Sequence, residues 1–250
     1  MSDYMFPSNP DRLPDDWQDV LAESMHQHVA GQSLTHYPSD RPESETYSKD
    51  ITYRFNDHGF RCDYNMAQLA EHSVNMFLGD SNTMGIGVNL EETWCHTVNA
   101  SYQGRRTMFN MGQGGGAGET CYRLARAWIP RVLPKAVFML TPPASRREFY
   151  TVEDEAVILG LQQFRGQPTV LPEHMVSEIE MEINRMRVHD AIEALCVRNH
   201  IPFYYVNFHR HLLTTPEWNG YFEDLARDGV HPGPLTHQRI AKIFTDLNPQ

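Results

Sequence analysis

Apolar residues in this 250-residue chain fall into short unbroken runs, separated by longer segments of helical period. Val74, Met76, Phe77 and Leu78 belong to one such run, which Gly79-Asp80-Ser81 ends. A short apolar run closed by Gly and polar residues is the pattern of a buried parallel strand reaching the carboxyl edge of a sheet. Runs at 105–110, 136–141 and 202–208 predict three more strands. Residues 91–100, 119–132, 153–164, 173–199 and 235–247 have the spacing of helices. The longest, 173–199, is expected to turn Met175, Ile179, Ile183, Met186, Ala191 and Leu195 inward. Strands alternating with helices predict a parallel sheet covered on both faces. The expected fold is therefore α/β, a three-layer α/β/α, flavodoxin-like arrangement.

The pattern changes before residue 73. Residues 1–50 carry many Pro, Ser, Asp and Glu, with one amphipathic helical stretch at 17–29. Residues 51–62 alternate apolar and polar around Asn56-Asp57-His58-Gly59, which predicts a β-hairpin. Residues 66–72 read as a short connection. The expected division is an N-terminal arm and hairpin over 1–72, packed on an α/β/α domain over 73–250.

Charge and composition narrow the partners. A net charge of −11 argues against a nucleic-acid or anionic-membrane surface. No apolar segment approaches the roughly 18 residues of a membrane span. The first 17 residues are acidic and Pro-rich, with no basic region followed by an apolar one, so a cytoplasmic location is expected. Cys62, Cys95, Cys121 and Cys196 are scattered, with no zinc-type spacing, and read as reduced thiols. His209 and His211 have no carboxylate or Cys at ligand spacing and read as surface residues.

Three stretches carry candidate chemistry. Ser81 stands where the first strand meets the sheet edge, a place suited to a nucleophile that a neighbouring base activates. Its alternative is a helix N-cap. Asp228 and His231 are three residues apart, so one turn can hold a base and the carboxylate that orients it. The alternative there is an Asp-Gly turn with an exposed His. There is no G-x-S-x-G, so the α/β-hydrolase nucleophile elbow is excluded. The run Gly112-Gln113-Gly114-Gly115-Gly116-Ala117 matches a dinucleotide fingerprint, G-x-G-x-x-[GA]. The next strand, however, ends in Thr141-Pro142-Pro143 with no acid for a ribose, and there is no G-K-[ST], so nucleotide binding is not expected.

Gly79-Asp80-Ser81, the Gly block at 110–115 and the D-x-x-H block Asp228–His231, in that order, resemble the GDSL/SGNH hydrolase superfamily over about residues 76–248. The segment Tyr53–Arg61, Y-x-x-N-x-x-G-F-R, is similar to one that precedes the first block in some members. The resemblance implies a serine esterase without metal or organic cofactor. Ser81 would be the nucleophile, His231 the base and Asp228 its orienter. The amides of Ser81 and Gly115 would line an oxyanion hole, and the substrate would be a small-molecule or carbohydrate ester, acetylated carbohydrate being one class.

The third block departs from the family. A G-x-N-D sequence should follow the third strand, yet the chain reads Thr141-Pro142-Pro143-Ala144-Ser145-Arg146-Arg147-Glu148. The Asn position falls near Ala144 or Ser145, and neither offers an amide. Losing one oxyanion donor typically costs ~2.7–4 kcal/mol of transition-state stabilisation. Arg146 is the candidate replacement, since a guanidinium has several donors and a permanent charge. Its alternative is a surface Arg paired with Glu148. Asn82 is a second candidate. The departure also leaves open carbohydrate binding without hydrolysis, or acyl transfer to an acceptor other than water.

Overall fold

The structure is a computed structural model that describes residues 19, 21–35, 47–150, 156–160, 177–207 and 222–248. Two short strands come first, β1 (Ser33–Leu34) and β2 (Tyr53–Arg54), then helix α1 (Met66–Glu71). The core follows: β3 (Val74–Leu78), α2 (Ser81–Met84), α3 (Trp94–Ala100), β4 (Thr107–Asn110), α4 (Gly118–Val132) and β5 (Ala136–Thr141). A strand pair, β6 (Arg146–Tyr150) and β7 (Ala156–Gly160), precedes α5 (Glu178–Arg198), β8 (Phe203–Asn207) and α6 (Pro234–Leu247).

The central sheet has the order β4-β3-β5-β8, with every pair parallel. Counted along the chain, its strands stand 2-1-3-4, the start of the flavodoxin-like order. All five residues of β3 and all six of β5 are buried, as a strand covered on both faces requires. Side chains alternate across the sheet. Met76, Leu78, Val137 and Met139 join Trp128, Ile129, Val188 and Ile192 from α4 and α5. Phe77, Phe138 and Leu140 join Trp94, Ile240 and Phe244 from α3 and α6 on the opposite face. The three-layer expectation holds among the described residues, and no described helix is long and apolar enough to cross a membrane.

Four local expectations change. Residues 66–71 form a helix rather than a connection: the Gln68 side chain accepts the Asn65 N–H at 2.9 Å, closing its first turn. The chain does reverse at 56–60, with the Asn56 N–H bonded to the Phe60 carbonyl, but β2 pairs with β1 and not across a hairpin of its own. Of the helix expected at 153–164, residues 156–160 are instead β7, antiparallel to β6, and the remainder lies outside the described residues. Val157, Ile158 and Gly160 are poor helix formers, and a partner strand is at hand. In α5, Leu195 is buried as expected, but Ile179 is 73% and Met186 54% exposed, and Asn184, Val188, His189 and Ile192 are buried instead. The two polar residues among them are partnered: Asn184 bonds Glu119, and His189 bonds Thr141 at 2.9 Å. His209, His211 and Met175 fall outside the described residues, as does part of the helix expected at 17–29.

Phe138 stacks on Phe77 at 5.1 Å and on Tyr204 at 5.3 Å, in the middle of one covered face. Phe138→Ala should therefore destabilise the protein by about 3–5 kcal/mol in urea unfolding, the cost of an unfilled aromatic site.

Candidate active site

Ser81 begins α2, three residues beyond the end of β3 and at the carboxyl edge of the sheet. Asp80 is the N-cap: its carboxylate accepts the Asn82 N–H at 3.0 Å, and its carbonyl accepts those of Thr83 and Met84. The capping role weighed for Ser81 thus falls to Asp80. Ser81 is 6% exposed, and neither its hydroxyl nor its N–H is hydrogen-bonded to another described residue. The far end of this one-turn helix is held by Arg61, 1% exposed, whose guanidinium donates to the carbonyls of Met84, Gly85 and Val88. A buried cation satisfied by carbonyls fixes the turn without a competing carboxylate.

The Gly block packs directly on that helix. The Met111 N–H bonds the Phe77 carbonyl and the Gln113 N–H that of Gly79, so the chain continues the β4 pairing past the strand end. The Asn110 side chain donates to Thr83 O at 2.9 Å and accepts the Gly112 N–H at 2.9 Å. A Cβ on Gly112 would lie 2.2 Å from the Met84 nitrogen, so only glycine fits there. Gly115 is exposed, and its N–H has no partner among the described residues.

The segment entering the D-x-x-H block is docked against the loop that follows the same helix. Arg227 N–H donates to Gly87 O at 3.0 Å, and a Cβ on Gly87 would strike Ala226 at 2.6 Å. Within the block, one carboxylate oxygen of Asp228 accepts the Val230 and His231 N–H groups, both at 2.9 Å, while the other meets His231 Nδ1. The other ring nitrogen, Nε2, has no partner among the described residues. Burial pushes the Asp228 carboxyl up. The hydrogen bonds and charge of His231, with the two backbone donors, outweigh it and hold the group below its ordinary value. The following helix α6 is capped by Asp224, which accepts the Leu235 and Thr236 N–H groups at 2.9 Å.

Arg146 lies at this site and not at the surface beside Glu148. Its Nη1 donates to Asp80 at 2.8 Å, next to Ser81, while Glu148 takes Arg123 at 2.6 Å. The guanidinium is 24% exposed, and its Nε and Nη2 have no partner among the described residues. It lines a shallow depression, open to solvent, with Thr141, Pro142, Ala144 and Arg185. Asn82 is half-buried, and its side-chain amide has no partner among the described residues. Ser81 and Asn82 thus sit on α2, the Gly block meets that helix at Met84, Arg146 of β6 reaches its N-cap Asp80, and the segment entering the Asp228–His231 turn meets the chain beyond the helix at Gly87. No group of three or more His, Cys, Asp or Glu suited to a metal occurs among the described residues. The four cysteines are buried free thiols, two of them, Cys62 and Cys196, pushed up to about 12 by burial.

Sequence reasoning missed Asn110 and Arg61 as supports of the Ser81 turn. Asn110 was visible as a polar residue ending an apolar strand, and Arg61 as part of the Tyr53–Arg61 segment; their partners are distant in the chain. His237 was missed as well. It is fully buried, and its Nδ1 accepts the Trp94 N–H at 3.2 Å.

No protein-family model matches the chain, and no curated protein matches its sequence. Solved structures are similar at low identity. A member of the lipolytic protein G-D-S-L family from Veillonella parvula DSM 2008 is 13% identical, over 70% of this chain and 97% of that one, with a TM-score of 0.37. The acetyl xylan esterase AlAXEase is 17% identical over 70% and 99%, with a TM-score of 0.38. LAE5, an alpha/beta hydrolase enzyme from the metagenome of Lake Arreo, Spain, is 20% identical over 70% and 94%, with a TM-score of 0.35.

His237 generates a pH prediction. Burial, then the charges of Arg61 and His231, push its pKa down to about 3, whereas an unfolded His titrates near ~6.5. Between these values the unfolded chain binds a proton that the folded one refuses. This contribution to stability is whole above ~6.5, declines as pH falls and is gone below about 3. The urea midpoint should drop from pH 7 to pH 4, and His237→Gln should flatten part of that slope.

Proposed function

We propose that this protein is a serine ester hydrolase of the SGNH kind. The observation that carries the reading is the docking of the Asp228–His231 turn through Gly87 onto the loop that leaves Ser81. It supports a base and orienter that act on Ser81, whose hydroxyl has no partner among the described residues. Ser81 Oγ attacks the ester carbonyl, His231 Nε2 takes its proton and returns it to the leaving alcohol, and Asp228 holds the ring through Nδ1. Water activated by the same nitrogen then releases the acid. In unliganded enzymes the nucleophile–base hydrogen bond is often long and closes only with substrate, which accommodates a Ser81 hydroxyl without a partner.

The oxyanion hole in this reading uses the N–H groups of Ser81 and Gly115, both unpaired among the described residues. Arg146 supplies the third donor in place of the missing Asn. Its tie to Asp80, the residue before Ser81, supports this, and its other two nitrogens have no partner among the described residues. Carboxylic esters of small molecules or carbohydrates, O-acetylated carbohydrate among them, are the substrate class. The departed third block favours one rival on the same site, acyl transfer or carbohydrate binding without hydrolysis. Added alcohol or glycan acceptors would then take the acyl group in preference to water, or the serine would stay unreactive.

A fluorophosphonate probe should label wild type and not Ser81→Ala, and p-nitrophenyl esters of graded chain length, tested beside acetylated glycans, should identify the acyl group. Ser81→Ala and His231→Ala should each remove nearly all turnover, with the double variant little worse, because the groups act as one unit. Activity of Ser81→Ala near wild type would sink the assignment. Arg146→Ala should lower kcat by an amount approaching ~10²-fold, the worth of one oxyanion donor. An unchanged kcat would return the residue to a purely structural tie on Asp80.

A further inference from the structure

The segment before β1 reaches the Gly block. Met25 N–H donates to Gln113 Oε1 at 2.7 Å, and the Ser24 hydroxyl lies 3.0 Å from the same oxygen. The next residue, His26, is 5% exposed, and its Nε2 accepts the Gly114 N–H at 3.1 Å. An acceptor at Nε2 requires that this nitrogen carry no proton.

The loop it holds is a tight turn. The Gly116 N–H bonds the Gln113 carbonyl at 2.9 Å, and Gly115, third residue of that turn, has φ +79°. A positive φ at the third position is the mark of a type II turn, whose middle peptide, here Gly114–Gly115, stands across the turn. The N–H of that middle peptide belongs to Gly115. On one side Gly114 N–H is held by His26, on the other Gly116 N–H is held by Gln113, and Gly115 N–H alone is left without a partner among the described residues. A Cβ on Gly115 would meet nothing within 4 Å, so the turn faces open space at this point. A run of glycines has many conformations to lose, and a donor works in an oxyanion hole only when it is aimed beforehand.

We propose that His26 is a positioning residue for the Gly115 oxyanion donor, so that the N-terminal arm completes the active site from outside the three sequence blocks. The proposal rests on Gly115 serving as that donor. His26 does not touch substrate; by accepting the Gly114 N–H it fixes the plane of the next peptide.

Two substitutions separate this role from simple tethering of the arm. His26→Phe keeps a ring opposite Phe55, whose centroid lies 6.0 Å away, but removes the acceptor. His26→Gln keeps an acceptor and gives up the ring. On an ester that wild type hydrolyses, His26→Phe should lose about tenfold in kcat, part of the worth of an oxyanion donor, with KM and Tm held. His26→Gln should stay within about twofold of wild type. An unchanged kcat in His26→Phe, or equal losses in both variants, would overturn the proposal. Backbone amide NMR tests it apart from turnover. In His26→Phe the Gly114 amide should exchange faster with solvent and the Gly115 resonance should move, and in His26→Gln neither should. If wild type hydrolyses no ester, the esterase reading fails by itself. A Gly115 resonance unmoved in His26→Phe overturns the positioning role. Should His26→Phe not fold, His26→Leu, also without an acceptor, takes its place in both measurements.

Discussion

The loop after β4 and the turn carrying Ser81 meet through backbone alone, at a separation of 2.2 Å between the Met84 nitrogen and any Cβ placed on Gly112. Much of the neighbourhood follows from that approach. With no side chain between them, the Asn110 amide reaches Thr83 O and the Gly112 N–H together, which ties the end of β4 to α2. Arg61 closes the other end of the helix from below, so one turn of four residues is gripped from two sides. An isolated turn of that length would not hold its shape in water, because nucleation is costly and few bonds repay it. Ser81 is placed by its neighbours and not by the intrinsic stability of its own helix.

Charge pairing does similar work where the third family block is missing. β6 sends Arg146 to Asp80, Arg147 to Glu119 and Glu148 to Arg123. Arg123 also donates to the carbonyls of Leu21 and Glu23, and Thr120 donates to Glu148 at 2.6 Å. Buried charges survive only when paired and hydrogen-bonded, and breaking one partner leaves the other stranded. The β6–β7 pair is thereby locked over the carboxyl edge of the sheet, with the N-terminal segment fastened to the same network. The three consecutive charged residues that open β6 thus each meet an opposite charge on another element.

The arm reaches the same site a second time, through Met25, His26 and the Gly block. It also packs Ile51, Tyr53 and Phe55 around Met84, Ile86 and Val88, the residues that follow Ser81. Residues far ahead of the sheet in sequence thus cover the turn that the sheet presents. The arm thus contacts both the Gly block and the residues that follow Ser81.

The sequence by itself determined what local pattern can determine. The unbroken apolar runs at β3 and β5 dictated strands buried on both faces, and the Gly, Ser and Asp-x-x-His residues that follow strands or precede a helix marked the sheet edge as the place for chemistry. Those features depend on neighbours within a few residues. Other features were decided only when distant segments met. Residues 156–160 became a strand because β6 offered a partner, and α5 buries Asn184 and His189 because Glu119 and Thr141 satisfy them. Arg146 turned to Asp80 and Glu148 to Arg123, although the two are neighbours in sequence, because a buried carboxylate draws whichever cation the fold brings within reach. Hydropathy assigns a residue to the inside or the outside, but a polar residue inside is set by its partner. That partner is a product of the tertiary structure.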